Sequence, residues 1–421
     1  MNQNSAPAPL WTRDFTIITA GSAVSMFGNA LSGFAMSLLV LDISGSTLLY
    51  AIYIAMYTVP QLILPIISGA ILDRFSRKKM IYTLDFISAG LYFVCAVLIA
   101  AGWFSFTVFA FGVFVLGCIQ STYMVAYDSF YPLLISEGNY QQAYSVASVL
   151  ETVSAVMVPV SAFLYRRTGL APLLAVNGVC FLLAALMETQ IGADEEYIRK
   201  QQAAAEAEDA AVSTPRRVLL DIKEGFAYLR AERGLLAVAI YFSFSAICGG
   251  VSTVLVLPWF RANWANGEYY YILVQGMALV GRGSGGLLHY RFKIPSKYRW
   301  GTALFVYLMI SVFEGIYLFT PLPVMMVLCF CVGIGGITSY TIRISATQSY
   351  VPDERKGRFN GAFNMLSTAG ALIGEVAAGT LSQFFPGRLV LLTVMMISAA
   401  AALILIGGGK KYVAPIYNRS R

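Results

Sequence analysis

Charged residues are scarce in this chain of 421 residues. Asp, Glu, Lys and Arg make up only 12% of it, whereas 58% of the residues are hydrophobic and the mean hydropathy is +0.68. This composition lies well outside the usual range of water-soluble domains. It excludes a soluble globular protein and predicts a chain that is embedded in a lipid bilayer.

Histidine is nearly absent, and one common nucleotide-binding motif is missing. His289 is the single histidine, which leaves no second imidazole for a metal site and no basis for a Ser-His-Asp arrangement. No G-x-x-x-x-G-K-[ST] sequence occurs, so ATP hydrolysis is not supported. The stretch GRGSGG, residues 281–286, lies inside an apolar run, where we expect glycine to permit close packing of helices. The protein is therefore not expected to be an enzyme.

The cysteines and the net charge exclude two further classes. All six cysteines lie inside apolar runs, where a thiol behaves as a small hydrophobic group: Cys95, Cys118, Cys180, Cys248, Cys329 and Cys331. No disulfide framework, metal site or cofactor is indicated. The formal charge of +7 does not point to nucleic acid, because the basic residues are spread over short loops rather than gathered on one face.

What the sequence contains instead is a series of long apolar runs. A bilayer core about 30 Å thick is crossed by roughly 20 apolar residues in a helix, and a helix satisfies its own backbone amides there. The sequence predicts twelve such spans, at residues 14–41, 47–72, 80–102, 104–127, 141–164, 171–190, 235–260, 269–290, 300–320, 323–349, 361–384 and 388–409. We therefore expect an all-α membrane protein with both termini on one side.

Lys and Arg are distributed unevenly among the loops between these spans. If the N-terminus is cytoplasmic, 23 of the 29 basic residues fall on the cytoplasmic side, four on the opposite side and two within spans. Cytoplasmic loops of membrane proteins carry an excess of Lys and Arg. This bias predicts that both termini are cytoplasmic.

One long polar segment, residues 191–234, divides the spans into six and six. Its second part, RRVLLDIKEGFAYLRAERG, has apolar residues at helical spacing, which predicts an amphipathic helix on the cytoplasmic membrane surface. A shift of 216 residues places Gly69 on Gly285 and Asp73 on His289, which indicates a duplicated six-helix unit. The predicted organisation is an N-terminal bundle 1–190, a linker 191–234, a C-terminal bundle 235–409 and a cytoplasmic tail 410–421.

The loop between the second and third spans carries the most specific motif of the chain, Gly69-x-x-x-Asp73-Arg74-x-Ser76-Arg77-Lys78-Lys79. This pattern resembles the loop signature of the major facilitator superfamily, which usually has Gly at the position of Ser76. SMFGN in the first span, DIKEGFAYLR before the seventh and VPDERKGRFNG before the eleventh are similar to the macrolide-efflux branch of drug:proton antiporters. The resemblance covers essentially the whole chain and implies two pseudo-symmetric six-helix bundles.

The resemblance also implies that this loop acts as a conformational latch. Asp73 would face the N-terminal end of the eleventh helix, where the helix dipole favours a carboxylate by about 0.3–1 kcal/mol. Arg77 would reach acidic groups on neighbouring helices. The predicted latch comprises Gly69, Asp73, Arg74, Arg77, its candidate partner Asp128, and Arg358. The alternative is a loop that serves only as a basic cytoplasmic anchor.

A few charged residues lie deep within predicted spans, where a charge costs about 2.5–3.5 kcal/mol and normally faces a cavity or a partner. The resemblance implies that spans 3, 6, 9 and 12 face lipid, which leaves Glu314 in the ninth span outside the central cavity. Glu375 and Arg282 are the first pair to test, and snorkelling of the arginines is the alternative. The candidate cavity or coupling residues are Glu151, Arg282, Arg343 and Glu375.

Uncharged polar and aromatic residues complete the predicted substrate site. They are Asn29, Tyr53, Tyr57, Gln120, Tyr123, Tyr127, Tyr241, Gln275, Tyr340 and Asn364. Such a lining suits a bulky amphipathic molecule, although aromatic residues in membrane helices also serve packing. Proteins of this branch often carry an acidic residue where this chain has Asn29, and asparagine cannot carry a proton. If the proton is the coupling ion, Glu375 or Glu151 is expected to bind it.

The resemblance implies a secondary transporter of the cytoplasmic membrane. It would export amphipathic organic compounds, such as drugs or macrolides, by rocker-switch alternating access. The expected partners are a small amphipathic substrate and the lipid bilayer, and we expect a monomer. Two alternatives stay open: a lysophospholipid, lipid or metabolite transporter of the same fold, and a membrane sensor or scaffold that does not transport.

Overall fold

The structure, a computed structural model, describes residues 9–72, 76–136, 139–154, 156–193, 214–292 and 294–419. Within these ranges the regular secondary structure consists of α-helices and short helical turns, without β-strands. The all-α prediction is confirmed. Its physical reason is that a helix satisfies its backbone groups within one segment.

The helices before the polar linker are α1 (Arg13–Ser44), α2 (Thr47–Leu72), α3 (Arg77–Ala100), α4 (Phe106–Phe130), α5 (Tyr140–Ser154), α6 (Met157–Thr168) and α7 (Leu170–Glu188). Those after it are α8 (Thr214–Ala231), α9 (Arg233–Asn263), α10 (Gly267–Arg291), α11 (Arg299–Ile316), α12 (Leu322–Tyr350), α13 (Asp353–Leu381), α14 (Gly387–Ala401) and α15 (Lys410–Tyr417).

Each predicted span corresponds to a helix or a pair of helices. The first four coincide with α1 to α4, the fifth is divided between α5 and α6, the sixth is α7, and the last six are α9 to α14. In the part of the chain that the structure describes, nine helices are long and apolar enough to cross a membrane. The spans α10 and α13 do not reach that apolarity, since they contain more polar and charged residues.

Short polar side chains cap the helices next to the loops. Ser76 Oγ accepts a hydrogen bond from the backbone nitrogen of Lys79 at 3.0 Å, and Thr12 Oγ1 accepts one from Phe15 at 3.2 Å. Serine is a preferred N-cap, so the departure from glycine at position 76 has a structural reason. Gly45 ends α1 with a φ of 57°, a conformation that side chains disfavour.

The chain forms two compact units. The first comprises Met1–Gly45 and Met56–Val218, and the second Ser46–Ala55 and Leu219–Arg421. The second unit therefore includes the start of α2 and most of α8, and the boundary after Val218 lies within the linker 191–234 that the sequence predicts. In the first unit α7 packs along α1 and α3; in the second α9 packs along α13, and α10 along α12.

Glycine permits the closest helix contacts of the second unit. A Cβ atom at Gly250 would lie 2.1 Å from the carbonyl oxygen of Ala371, and one at Gly281 would lie 2.1 Å from that of Phe330. These distances leave no room for a side chain, so α9 and α13, like α10 and α12, approach this closely only with glycine. The packing role predicted for residues 281–286 is confirmed at Gly281.

The amphipathic segment of the linker forms α8, which packs on the second unit. Leu229 is 1% exposed and lies in a core cluster with Phe359 of α13. A Cβ atom at Gly225 would lie 2.4 Å from the carbonyl oxygen of Arg358. The sequence assigned this helix to the membrane surface, whereas the structure buries part of its apolar face against protein, because α13 offers an apolar partner.

Large apolar side chains remain exposed on the helices of both units. Val97 and Phe111 of the first unit are each 66% exposed, and Ile404 of the second is 70% exposed. Apolar surface of this extent is unfavourable in water but suits contact with lipid tails. It agrees with a multi-pass membrane protein.

Candidate functional site

A cavity of about 310 Å³ lies within the second unit, walled by α9, α10, α11, α12 and α14. Four serine hydroxyls and three charged side chains interrupt its otherwise apolar wall. The aromatic residues of the lining are Tyr241, Phe242, Tyr307 and Tyr340. A wall that combines aromatic rings with several hydroxyl and charged groups is suited to a small organic molecule that has both apolar and polar parts.

The three charged residues of the cavity come from three helices. They are Arg282 of α10, Glu314 of α11 and Arg343 of α12. Glu314 interacts electrostatically with Arg282, so these two charges offset each other. The family resemblance had assigned Glu314 to a lipid-facing helix and paired Arg282 with Glu375. The structure instead places Glu314 beside Arg282, and Glu375 does not line this cavity.

Arg343 is surrounded by aromatic rings. Its guanidinium carbon lies 4.7 Å from the ring centroid of Phe363, 5.0 Å from that of Phe242 and 5.6 Å from that of Tyr340. Cation–π attraction stabilises a cation in such a position. Among the residues that the structure describes, its Nε atom is buried without a hydrogen-bond partner. The alternative of a side chain that snorkels to water is not favoured, because the rings hold the guanidinium within the unit.

A layer of tyrosines supports the aromatic side of the cavity. Tyr241 and Tyr307 stack with their ring centroids 4.5 Å apart, and the hydroxyls of Tyr307 and Tyr417 share a hydrogen bond of 2.9 Å. Tyr417 belongs to α15, beyond the last span, and burial raises the pKa of its phenol well above the usual value. It therefore stays protonated, and the layer carries no negative charge from this group.

The other predicted site residues of the second unit lie elsewhere. Gln275 contacts Tyr271 on its own helix, α10, and Asn364 lies on an exposed face of α13. Glu375 is 5% exposed where α13 packs on α9, and its backbone nitrogen would lie 2.9 Å from a Cβ atom at Gly250. The structure thus brings Tyr241 and Tyr340 to the cavity but not these three.

Asn29 belongs to a polar cluster inside the first unit. Its Oδ1 accepts hydrogen bonds from the Tyr92 hydroxyl at 3.3 Å and from Asn177 Nδ2 at 3.5 Å, and Asn177 Nδ2 also donates to Ser32 Oγ at 2.7 Å. A Cβ atom at Gly28 would lie 2.2 Å from Asn177 Oδ1. These contacts join α1, α3 and α7. Asn29, which stands where related proteins often carry an acidic residue, therefore links three helices.

Tyr123 and Tyr127 form an aromatic stack along α4. Their ring centroids lie 5.9 Å apart, and Tyr127 stacks on Tyr131 at 5.1 Å. The Tyr131 hydroxyl donates to the carbonyl oxygen of Ala143 at 2.9 Å. All three rings belong to the core cluster of the first unit or pack against it. Packing is therefore the role that these contacts support.

The remaining predicted lining residues differ in exposure. Tyr53 is 6% exposed and stacks on Tyr50 at 6.1 Å. Tyr57 is 38% exposed, and its backbone lies against Gly117 of α4. Gln120 is half-buried. Of these residues, Tyr57 presents the most side-chain surface to a ligand.

The predicted latch is described only in part. Asp73 and Arg74 lie outside the described residues, as does the side chain of Glu151, and Gly69 lies in the last turns of α2. Arg77 Nη1 donates to the carbonyl oxygen of Ser129 at 3.0 Å, one residue beyond Asp128, the predicted partner. The contact between Asp73 and α13 stays a prediction.

Arg358, the remaining latch residue, forms an ion pair with Glu224 of α8. The Nη1 and Oε2 atoms are 2.5 Å apart, and the two side chains are 45% and 56% exposed. The sequence did not predict this partner. The pair joins α8 to the first turns of α13, which is the end that Asp73 is expected to face.

The first unit contains a buried carboxyl pair that sequence reasoning missed. Asp85 of α3 and Glu188 of α7 are 1% and 0% exposed, and their side chains lie in contact. Among the described residues, Asp85 Oδ2 and both Glu188 oxygens have no donor when both groups are counted as carboxylates. A hydrogen bond between them requires a proton on one of them, because carboxylates only accept. The sequence feature that could have identified this pair is that both acidic residues lie inside apolar runs.

Comparison with known proteins shows the family. The sequence profile of the Major Facilitator Superfamily matches residues 18–375. Two MFS-type transporters of Bacillus subtilis (strain 168) are similar: YkuC is 25% identical over 256 residues, which cover 60% of this chain and 57% of YkuC, and YfiS is 22% identical over 416 residues, which cover 91% of each chain.

Two solved structures share the fold. The nucleoside transporter NupG aligns with a TM-score of 0.65 at 12% identity, covering 95% of this chain and 98% of its own. A bacterial homologue of the iron transporter ferroportin, in its outward-facing state with soaked iron, aligns with a TM-score of 0.59 at 15% identity, covering 94% and 98%. Together with the profile match over most of its length, these likenesses show that the chain belongs to the Major Facilitator Superfamily of membrane transporters.

Proposed function

We propose that this transporter exports amphipathic organic compounds of the drug or macrolide type from the cytoplasm by rocker-switch alternating access. The observation that supports the proposal is the cavity of the second unit, where four aromatic rings, four serines and three charged groups line one space. The rings offer apolar surface, whose burial contributes roughly 25 cal/mol per Å², and the polar groups orient the ligand.

The size and chemistry of the cavity favour an organic ligand over a metal ion. Its volume of about 310 Å³ is near the lower limit of small-molecule sites, so it would hold one part of a bulky substrate. Transition metals prefer imidazole, thiolate and carboxylate ligands. Here one carboxylate, Glu314, stands beside two arginines, and two positive charges oppose the binding of a cation.

Proton coupling and cytoplasmic gating belong to the same proposal. Glu375 keeps its candidate role as a proton carrier because it is a buried carboxyl group on a predicted cavity helix. For the gate, Arg358 lies in the first turns of α13 and contacts α8, which favours a role for this helix end in the cytoplasmic contacts of the protein.

Flux into reconstituted vesicles tests the proposal. Purified protein in liposomes is expected to move amphipathic compounds, such as a macrolide or a fluorescent dye, and a pH gradient is expected to change the rate in wild type but not in Glu375→Gln. Movement of nucleosides or other polar metabolites, with none of the amphipathic compounds transported, would overturn the proposed substrate class. Equal pH dependence in both proteins would remove Glu375 from the coupling role.

A matched pair of tyrosine variants links the flux to the cavity. Tyr340 is 54% exposed and lines the cavity, whereas Tyr298 is 57% exposed and lies outside it. Tyr340→Ala is expected to raise KM about 3- to 10-fold, since an aromatic contact contributes about 0.5–1.5 kcal/mol. Tyr298→Ala is expected to leave KM unchanged. Equal effects of the two substitutions would show that the cavity does not hold the substrate.

A further inference from the structure

The two arginines of the cavity in the second unit differ in their surroundings. Arg282 interacts electrostatically with the carboxylate of Glu314, which lines the same cavity. Among the residues that the structure describes, Arg343 has no carboxylate as an electrostatic partner, and the polar groups near it are the neutral hydroxyls of tyrosines. Because one carboxyl group, Glu314, can offset at most one of the two arginines, the cavity retains a net positive charge.

The aromatic surroundings of Arg343 stabilise its charge but do not use its donors. Phe242, Phe363 and Tyr340 attract the cation through their ring faces, at distances of 4.7 to 5.6 Å. A ring face offers no strong acceptor for the N–H groups. The Nε atom is buried and unpaired, which costs free energy unless a ligand supplies an acceptor.

An arginine with unused donors in a cavity is suited to an oxyanion. The planar guanidinium presents N–H groups in a fork that fits the two oxygens of a carboxylate or phosphate. The hydroxyls of Ser245 and Ser339 line the same cavity and can add neutral hydrogen bonds. The aromatic rings beside them offer a surface for an apolar group attached to the anion.

We propose that Arg343 binds the anionic group of the transported molecule, so that within the proposed amphipathic class the preferred substrates are organic anions with a carboxylate or phosphate beside an apolar body, rather than basic compounds such as macrolides. The inference rests on the proposed function, since it names the substrate chemistry of the same cavity. Arg282 and Glu314 form the neutral part of the wall, and Arg343 supplies the charge that selects an anion over a neutral or cationic analogue.

Equilibrium binding to the full-length protein in lipid nanodiscs tests the inference with a matched pair of fluorescent probes, pyrenebutyrate and its uncharged amide. The wild type is expected to bind the anion at least about tenfold more tightly than the amide, as expected for a charge-assisted hydrogen bond. Arg343→Gln is expected to abolish this preference while still binding the amide. Equal affinities of the wild type for the two probes would overturn the inference.

Two further variants control for a general structural effect of the Arg343→Gln substitution. Arg388→Gln is the matched control, because Arg388 also lies over a ring, that of Phe319 at 5.1 Å, but outside the cavity. It is expected to keep the full preference for the anion. Arg343→Lys keeps the charge without the fork and is expected to retain only part of the preference. Equal loss of preference in Arg388→Gln and Arg343→Gln would contradict the assignment.

The binding assay separates this inference from the proposed function. If the wild type binds both probes without preference, the proposal of an amphipathic substrate is retained, and the proposal that Arg343 binds an anion is wrong. If the wild type binds neither probe, both proposals are wrong. Competition identifies the source of the anion: displacement of pyrenebutyrate by lysophosphatidylglycerol indicates a lipid head group, whereas displacement by a soluble aromatic phosphate alone indicates a free organic anion. Either displacement supports a site for anions.

Discussion

The two units of this transporter bury their charges in opposite ways. In the first, Asp85 and Glu188 lie against each other, 1% and 0% exposed, with no basic neighbour among the described residues. In the second, two arginines and Glu314 face a cavity of about 310 Å³. The first unit thus encloses a pair of acids in mutual contact, whereas the second presents two bases to an open space and also buries Glu268 and Glu375.

If Arg343 binds the substrate as proposed, the difference separates a structural contact from a binding contact. Among the described residues, the acid pair has only its own members and nearby hydroxyls as partners, so a hydrogen bond within the pair is what it can contribute to the stability of the first unit. Arg343 faces a cavity and keeps unused donors, so its energy is available to a ligand. We therefore expect substitutions in the acid pair to change stability, and substitutions at Arg343 to change affinity.

The largest effect is expected for Glu188→Ala. The substitution removes the partner of Asp85. It also leaves a small void beside Gly21, because Glu188 packs against this glycine: a Cβ atom placed at Gly21 would lie 3.3 Å from Glu188 Oε1. Loss of a buried partner and of packing together is expected to lower the free energy of unfolding by about 2–3 kcal/mol. Denaturant unfolding of the purified protein measures it. An unchanged midpoint would show that the pair does not stabilise the unit.

The second effect tests the neutral part of the cavity wall. Arg282→Gln leaves Glu314 without its positive neighbour and is expected to cost about 1 kcal/mol, whereas the double variant Arg282→Gln/Glu314→Gln is expected to recover most of that loss. A double-mutant cycle of unfolding free energies measures the coupling. Additive effects would mean that the two charges do not offset each other, and the charge count of the cavity would then be wrong.

A smaller effect is expected for Glu188→Gln. The amide keeps the size of the side chain and supplies an N–H donor to Asp85, so the free energy of unfolding is expected to stay within about 0.5 kcal/mol of the wild type. The comparison with Glu188→Ala in the same unfolding experiment separates the hydrogen bond from the charge. A loss as large as that of the alanine variant would indicate that the carboxyl group itself is required.

The smallest effect is expected for Glu224→Gln, which breaks the exposed ion pair with Arg358. A solvent-exposed pair contributes little, so the free energy of unfolding is expected to fall by less than about 0.5 kcal/mol, and by less still at high salt. Unfolding at low and high ionic strength measures it. A loss comparable with that of Glu188→Ala would contradict the distinction between buried and exposed charges.

Individual residues show how much of the candidate site can be predicted from the sequence. Arg282 and Arg343 were identified because a charge inside an apolar run is costly and must have a reason to be there. Glu314 was discounted because the family resemblance places its helix toward lipid, and Asp85 and Glu188 were not considered. The structure turns these side chains inward, and the rotation of a helix about its axis depends on the neighbours against which it packs.

The fifth span shows the same limit for the fold. Its apolar run predicted one helix over residues 141–164, but the structure has a turn at Val156 directly before α6, where the Val156 nitrogen donates to the carbonyl oxygen of Val153 at 3.0 Å. A run of apolar residues predicts that a segment crosses the bilayer, but its regularity depends on contacts with other helices. The ion pair of Arg358 shows that contacts of the predicted latch cannot be predicted from local sequence either, because its partner Glu224 lies 134 residues away in sequence.

The sequence by itself determined that the chain crosses a membrane many times as helices. Hydrocarbon offers the backbone no hydrogen-bond partners, and each segment must therefore satisfy its own amides locally. Only the tertiary structure decided that Glu314 interacts electrostatically with Arg282, that Asp85 meets Glu188, and that Arg343 has no carboxylate partner among the described residues. Each of these pairs joins residues of two different helices. The pairs therefore depend on how each helix is rotated and how closely the helices approach, as at Gly281, and not on the local order of residues.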